Sequence, residues 1–151
     1  IEEFQTEKLA DNEFVAQAVL VRALLAQDRP AEGEKEIDRL ANAAAGSQNA
    51  EARFKFRIGA ARARAAMQRN ADATQDLERV LDEATQLGLS QHQFEARLAL
   101  AEMKMKSGDR ATARAHLEAL KKDAAAKGFL LIARKADDGQ RTKSLHQPPE
   151  I

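Results

Sequence analysis

The chain contains no cysteine, no tryptophan and no tyrosine, and only three prolines, seven glycines and six phenylalanines among 151 residues. Without cysteine there is no disulfide, no thiolate nucleophile and no sulfur ligand for zinc, and the redox state of the compartment leaves no trace. Lys plus Arg and Asp plus Glu both number 24, so no whole-chain field draws the protein to nucleic acid or to an anionic membrane. The most apolar run, residues 14–26, is interrupted by Gln17 and Arg22 and falls short of the roughly 20 residues that span a bilayer. These absences predict a soluble protein with neither nucleic-acid nor membrane partners, with the cytoplasm the favoured compartment. Ile1 in place of an initiating Met reads as a trimmed N-terminus, with room upstream for a signal peptide or a further domain.

What is present is an alphabet of helix formers. Ala, Leu, Arg, Glu, Lys and Gln dominate and β-branched residues are scarce, so the expected fold class is all-α, on a chain about one domain long. Sliding the sequence along itself until Phe14 meets Phe54 also brings Phe54 onto Phe94. The same shift superposes Gly33, Ala73 and Ala113; Ile37, Leu77 and Leu117; and Leu40, Val80 and Leu120. Each unit divides into two amphipathic segments. The first carries stripes such as Phe54, Ile58, Ala61, Ala65 and Phe94, Leu98, Ala101, Met105; the second carries Ala73, Leu77, Val80, Ala84 and its counterparts. The reading is three stacked antiparallel helical hairpins, with repeats at about 12–48, 49–88 and 89–128, a capping helix at 129–136 and a polar tail at 137–151. By composition so polar a tail is disordered unless it extends the terminal helix or docks into a groove of this or a neighbouring molecule, and one of these two is expected.

Local signals agree with this division. Ser90 with Gln93 has capping-box spacing, Asn49, Asn70 and Asp109 are natural N-caps, and Pro30 suits a first helical turn. Gly88 and Gly128, each followed by an apolar residue, read as Schellman stops. The small residues at 33, 73 and 113 allow the helices of a hairpin to approach, while the phenylalanine column fills the space between hairpins. One hairpin alone cannot bury its apolar face, so the units must stack.

Catalytic constellations are not apparent. His92, His116 and His146 are scattered away from metal-ligand spacing and are expected on solvent-facing surfaces. The carboxylate pairs Asp72/Asp76 and Glu78/Asp82 suit a solvated outer helix face, and Met67, Met103 and Met105 suit core packing. No glycine-rich phosphate loop occurs, and neither an enzyme activity nor a cofactor is expected.

The hairpin-corner residues Gly108 and Asp109 followed by Ala113 and Leu117, matched in part by Asp28, Gly33 and Ile37 and by Ala73 and Leu77, resemble the tetratricopeptide repeat family over about residues 12–128. The 40-residue period is longer than the family's roughly 34, and the proline that usually closes its repeat is absent. The resemblance implies a TPR-like α-solenoid whose first helices line a concave groove. The stretch "LEALKKDAAAKGFLLIARKA" is also similar to C-terminal repeat modules of bacterial eukaryote-like Ser/Thr kinases.

The basic stretch "RFKFRIGAARARAAM", residues 53–67, belongs to the middle repeat's first helix. The repeat register assigns Phe54 to the packed column and leaves Phe56 either between helices or at a groove wall. In the implied groove, Arg57 with Arg97 and Arg64 with Lys104 form two basic rows one repeat apart, suited to an acidic peptide or a C-terminal carboxylate. The alternative is that these cations satisfy acids of their own and adjacent helices. The function expected is a protein-interaction scaffold that binds a peptide or partner protein, or pairs with itself as a homodimer; the alternative is a regulatory or sensory module of a larger bacterial signalling protein.

Overall fold

The computed structural model describes residues 16, 19–21, 23, 24 and 26–141, apart from the side chains of 42, 43 and 45, and all regular structure among them is helical. Helical residues within 16–26 precede α1 (Pro30–Ala45), α2 (Ala50–Ala66), α3 (Asn70–Gln86), α4 (Ser90–Ser107), α5 (Arg110–Ala126) and α6 (Leu130–Arg141). The short connections force each helix to turn back along its predecessor. The ion pairs confirm the direction: Arg64 meets Asp76 near the α2–α3 turn, and Arg57, a helical stretch earlier, meets Glu83 a stretch later.

The turns follow from backbone chemistry. Gly88 and Gly128 adopt left-handed φ values of 69° and 83°, and the next amides, of Leu89 and Phe129, donate to the carbonyls of Ala84 and Ala124 at 2.9 and 2.8 Å. These are the Schellman stops expected. Position 108 turns the same way (Gly108, φ 100°), and so do its register counterparts Gln68 (φ 67°) and Asp28 (φ 57°), which carry side chains.

The expected caps are met in part. Asn49 accepts a hydrogen bond from the Ala52 amide at 3.2 Å, and Pro30 opens α1. Ser90 and Asn70, however, are the first helical residues rather than caps; Leu89 and Arg69 hold the cap positions, and no capping box forms. The reason lies in the preceding turns. The amides of Leu89 and Arg69 already close them, so the next helix starts at once and leaves no place for a capping side chain. Asp109 stands at the cap of α5, but its side chain makes no capping bond.

Three apolar clusters hold the helices together. Phe54, Ile58 and Ala61 of α2 pack on Ala73, Leu77, Val80 and Ala84 of α3, and Phe94, Leu98 and Ala101 of α4 pack on Ala113, Leu117 and Leu120 of α5. Fully burying each large side chain of this kind stabilises by about 1.5–3 kcal/mol. Ala73 and Ala113 are buried where the hairpin helices approach, and Gly33 is buried as well. Phe56 is buried between α1 and α2 with Ile37, Leu40 and Ala44, which settles its alternatives, while Phe14 lies outside the described residues. Met105 is buried and Met103 partly so.

Each helix packs on the next; α2 also touches α4, and α4 touches α6, whereas α1, α3 and α5 do not approach one another. The molecule thus has an inner row, α2, α4 and α6, and an outer row. The last helix is longer than the sequence suggests and runs to Arg141, so the polar tail does not begin at 137. Its polar residues are amphipathically placed: Asp137 accepts a hydrogen bond from Lys121 at 3.0 Å and pairs with Arg141, while Gly139 backs onto Leu117. Residues 142–151, where tail docking was expected, lie outside the described residues. No described helix is long and apolar enough to cross a membrane.

Candidate functional site

On the inner row, the helix faces not consumed by packing border one open groove of about 910 Å³. Lys55, Ile58, Gly59 and Arg62 line it from α2; Gln91, Glu95, Leu98 and Glu102 from α4; and Phe129, Leu131 and Lys135 from the start of α6 and the turn before it. Lys55, Glu95 and Lys135 fall at one register position, one on each inner helix. A Cβ built at Gly59 would meet nothing within 4 Å, so the groove is open there.

The electrostatics are mixed. Arg62 donates to Glu102 at 2.7 Å and ties α2 to α4 across the groove. Glu95 accepts from the Gln91 side-chain amide at 3.3 Å and lies 3.5 Å from Nδ1 of His92. Lys55 and Lys135 are exposed and make no ion pair among the described residues. Ile58 and Leu98 give the groove apolar wall, and Leu131, 63% exposed, offers uncovered apolar surface at its edge. Two free ammonium groups flanking an apolar strip suit an extended or helical segment that carries an apolar side chain beside a carboxylate.

The four cations singled out from sequence are placed elsewhere. Arg57 donates to Glu83 at 3.0 Å, and its register counterpart, Arg97, donates to Asp123 at 2.9 Å with its guanidinium 5.7 Å from the Phe94 ring centroid. Arg64 donates to Asp76 at 2.6 Å and brings Nε within 3.6 Å of Glu34. Lys104 stands in the register of Arg64 but opposite His116, which offers no acid, and it has no ion-pair partner among the described residues. None of the four lines the groove. At about 100° per residue, positions 57 and 64 point to nearly the opposite side of α2 from 55, 59 and 62. The arginines therefore join the two helices of a hairpin, which is the internal-acid alternative.

A cluster beside α1 extends this pattern. Arg69 donates to Glu34 at 2.6 Å and to Asp72 at 2.9 Å, so with Arg64 it gathers acids from α1 and α3. The hydrogen bond to Asp72, with the Glu34 charge, holds the Arg69 guanidinium above its ordinary pKa. Of the carboxylates considered for acid/base work, Asp72 and Asp76 are held by arginines, and Glu78 and Asp82 are exposed.

His92 corrects an expectation. It is 3% exposed rather than solvent-facing, with its ring 5.7 Å from that of Phe54, and Nδ1 has no hydrogen-bond partner. The signal was available: its register counterparts on either side are Ala52 and Ile132, an apolar column. His116 is exposed, and His146 is outside the described residues. The groove residues were legible in the same way, as the column Lys55, Glu95, Lys135. Among the described residues no group of His, Asp or Glu is arranged to hold a metal ion. The chain matches no family model, no curated protein and no solved structure.

Proposed function

We propose that the chain is a non-catalytic interaction scaffold, a TPR-like helical repeat array whose inner helices bind a peptide or partner protein. The observation that carries this reading is the groove itself. Three helices present one face to a common space, their charged residues recur in register, and Lys55 and Lys135, at its two sides, have no acid partner among the described residues. The repeat reading is supported by the left-handed turns at 28, 68 and 108 and by the recurrence of Arg57–Glu83 as Arg97–Asp123. The ligand class that fits is a segment with an apolar anchor for Ile58, Leu98 and Leu131 and acidic groups for the two lysines.

Selection from a displayed random-peptide library tests the reading. Enriched peptides combine an apolar residue with acids, and they lose binding when Lys55→Glu and Lys135→Glu are introduced together while helicity and Tm are kept. Arg57→Glu with Arg97→Glu leaves binding intact. Loss of binding in the second variant, with the first unaffected, would return the site to the arginine rows and sink the groove assignment.

A further inference from the structure

Among the described residues His92 is the one polar or charged side chain that is buried, and one of its nitrogens is unsatisfied. It stands in the column Ala52, His92, Ile132, whose other members are apolar. Nδ1 is shut off from solvent and has no hydrogen-bond partner. A buried polar atom left in that state is destabilising where the alanine or isoleucine of the neighbouring units is not, so packing gives no reason for a histidine at this position.

An acceptor stands close by on the same helix. Oε2 of Glu95 lies 3.5 Å from Nδ1, while Oε1 of Glu95 is held by the Gln91 side-chain amide at 3.3 Å. Glu95 is 31% exposed and lines the inner groove, at the middle of the column Lys55, Glu95, Lys135. One carboxylate thus borders both the buried ring and the groove. With the imidazole neutral, its full negative charge stands in register between two ammonium groups. With the imidazole protonated, Nδ1 becomes a charge-assisted donor to Oε2. The carboxylate is then drawn inward and its charge is cancelled from behind, so the column presents two cations in place of two cations and an anion.

Other charges near the ring act on its protonation in both senses. Glu51, in the first turn of α2, and Lys127, at the end of α5, line the pocket of about 480 Å³ that His92 borders, and no charged residue of α3 or α6 lines it. Glu51 favours the protonated ring. Lys127 opposes it, although its ammonium also donates to Ser90 Oγ at 3.3 Å and lies 5.8 Å from the Phe94 ring centroid. The positive N-terminal end of α4, in whose first turn His92 sits, opposes it as well. Arg53 of α2 is taken by the Ser47 carbonyl at 2.6 Å. Two carboxylates therefore stand against one ammonium and a helix end, and of the two Glu95 is the one that reaches the groove.

We infer that His92 is a positioning residue for Glu95 and the proton sensor of the inner groove: a protonated ring withdraws the Glu95 charge from between Lys55 and Lys135 and readies the groove for an acidic segment. Proton uptake and the binding of that segment then strengthen each other. The ligand half of this inference rests on the proposed groove, whereas the coupling of His92 to Glu95 stands without it.

NMR of the full chain tests the coupling with no ligand present. Nitrogen spectra of the imidazoles and carbon spectra of the carboxyls are followed through about pH 5 to 8, the range in which histidine acts as a switch. The expected result is that the Glu95 Cδ signal moves in the same transition as the His92 nitrogens, with helicity unchanged. In Glu95→Gln the His92 transition falls by about one pH unit, while that of exposed His116 is unaffected. Peptides selected for the groove bind about twofold to fivefold more tightly at the lower end of the range than at the upper, and Glu95→Gln and His92→Phe each remove the difference. A His92 ring that stays neutral throughout, a Glu95 signal that does not follow it, an unchanged His92 transition in Glu95→Gln, or loss of helicity on protonation each overturns the inference. Peptides that bind equally at both ends of the range overturn its ligand half. If selection yields no peptide, the groove reading fails, and the spectra still decide the coupling.

Discussion

Arg57 and Glu83 lie on the two helices of one hairpin with Nη1 and Oε1 3.0 Å apart, and the same pairing recurs in the next hairpin between Arg97 and Asp123. A cation that looks free in sequence is here a tie between helices. Arg57 and Glu83 are 35% and 43% exposed, whereas Arg64 is 19% exposed and serves both Asp76 and Glu34. Arg57→Ala should therefore cost about 0.2–1 kcal/mol, the range of exposed pairs. Arg64→Ala should cost more, about 1.5–3 kcal/mol, because it leaves half-buried Asp76 unpaired and takes from Glu34 one of its two cations, Arg69 remaining. Urea denaturation of both variants measures the order; equal losses would remove the distinction.

Gln68 sits at φ 67°, where the equivalent residue of the next unit is Gly108. A side chain in the left-handed region costs on the order of 1 kcal/mol that glycine avoids. Gln68→Gly is expected to raise stability by up to that amount in spite of the entropy glycine adds to the unfolded chain. Gly108→Ala should lower it by a similar amount, both read from thermal melts.

Two helical glycines should respond differently to alanine. Nothing lies within 4 Å of a Cβ at Gly59, so Gly59→Ala should gain about 0.5–1 kcal/mol from helix propensity alone. At Gly139 the added Cβ meets Leu117 Cδ1 at 3.3 Å, so that gain is offset by displacing a fully buried leucine. A larger gain at 139 than at 59 would show that α6 does not press on α5 as described.

The Lys121–Asp137 pair adds a pH-dependent contribution to the contact between α6 and α5. The hydrogen bond from Lys121 holds the Asp137 carboxyl below its ordinary pKa, and the same bond raises the Lys121 ammonium. For Asp137 the stabilisation is complete above the unfolded value near pH 4 and is lost as pH falls through the lower folded value. For Lys121 it is complete below about pH 10 and is lost as pH rises through the raised folded value. The Tm difference between the natural chain and Asp137→Asn should be flat between about pH 5 and 9 and shrink beyond both ends. A difference that grows on acidification would contradict the pairing.

Much of the fold is legible in the residues because its two strongest signals are local. The stripes Leu77, Val80, Ala84 and Leu117, Leu120, Ala124 identify buried helix faces by period alone, and Gly88 and Gly128 mark turns by the φ they permit. What escapes is whatever depends on a neighbouring helix. Ser90 and Asn70 have capping chemistry, but the amides that close the preceding turns decide where the helix starts. Asp137 and Asp138 look like a tail until Lys121 of α5 is beside them. For the groove, composition favours the most basic residues, Arg57 and Arg64, whereas helical angle favours Lys55 and Arg62. The register of the sequence holds the information needed to choose, because Lys55, Glu95 and Lys135 change sign along their column while Arg57 and Arg97 each find an acid on the next helix.

The substitution of Arg134, Asp138 and Arg141 for the Phe, Ile or Leu, and Ala of the earlier units bears on how copies can meet. A second copy that packed on α6 as α5 packs on α4 would have to bury these charges, so growth through this face is disfavoured.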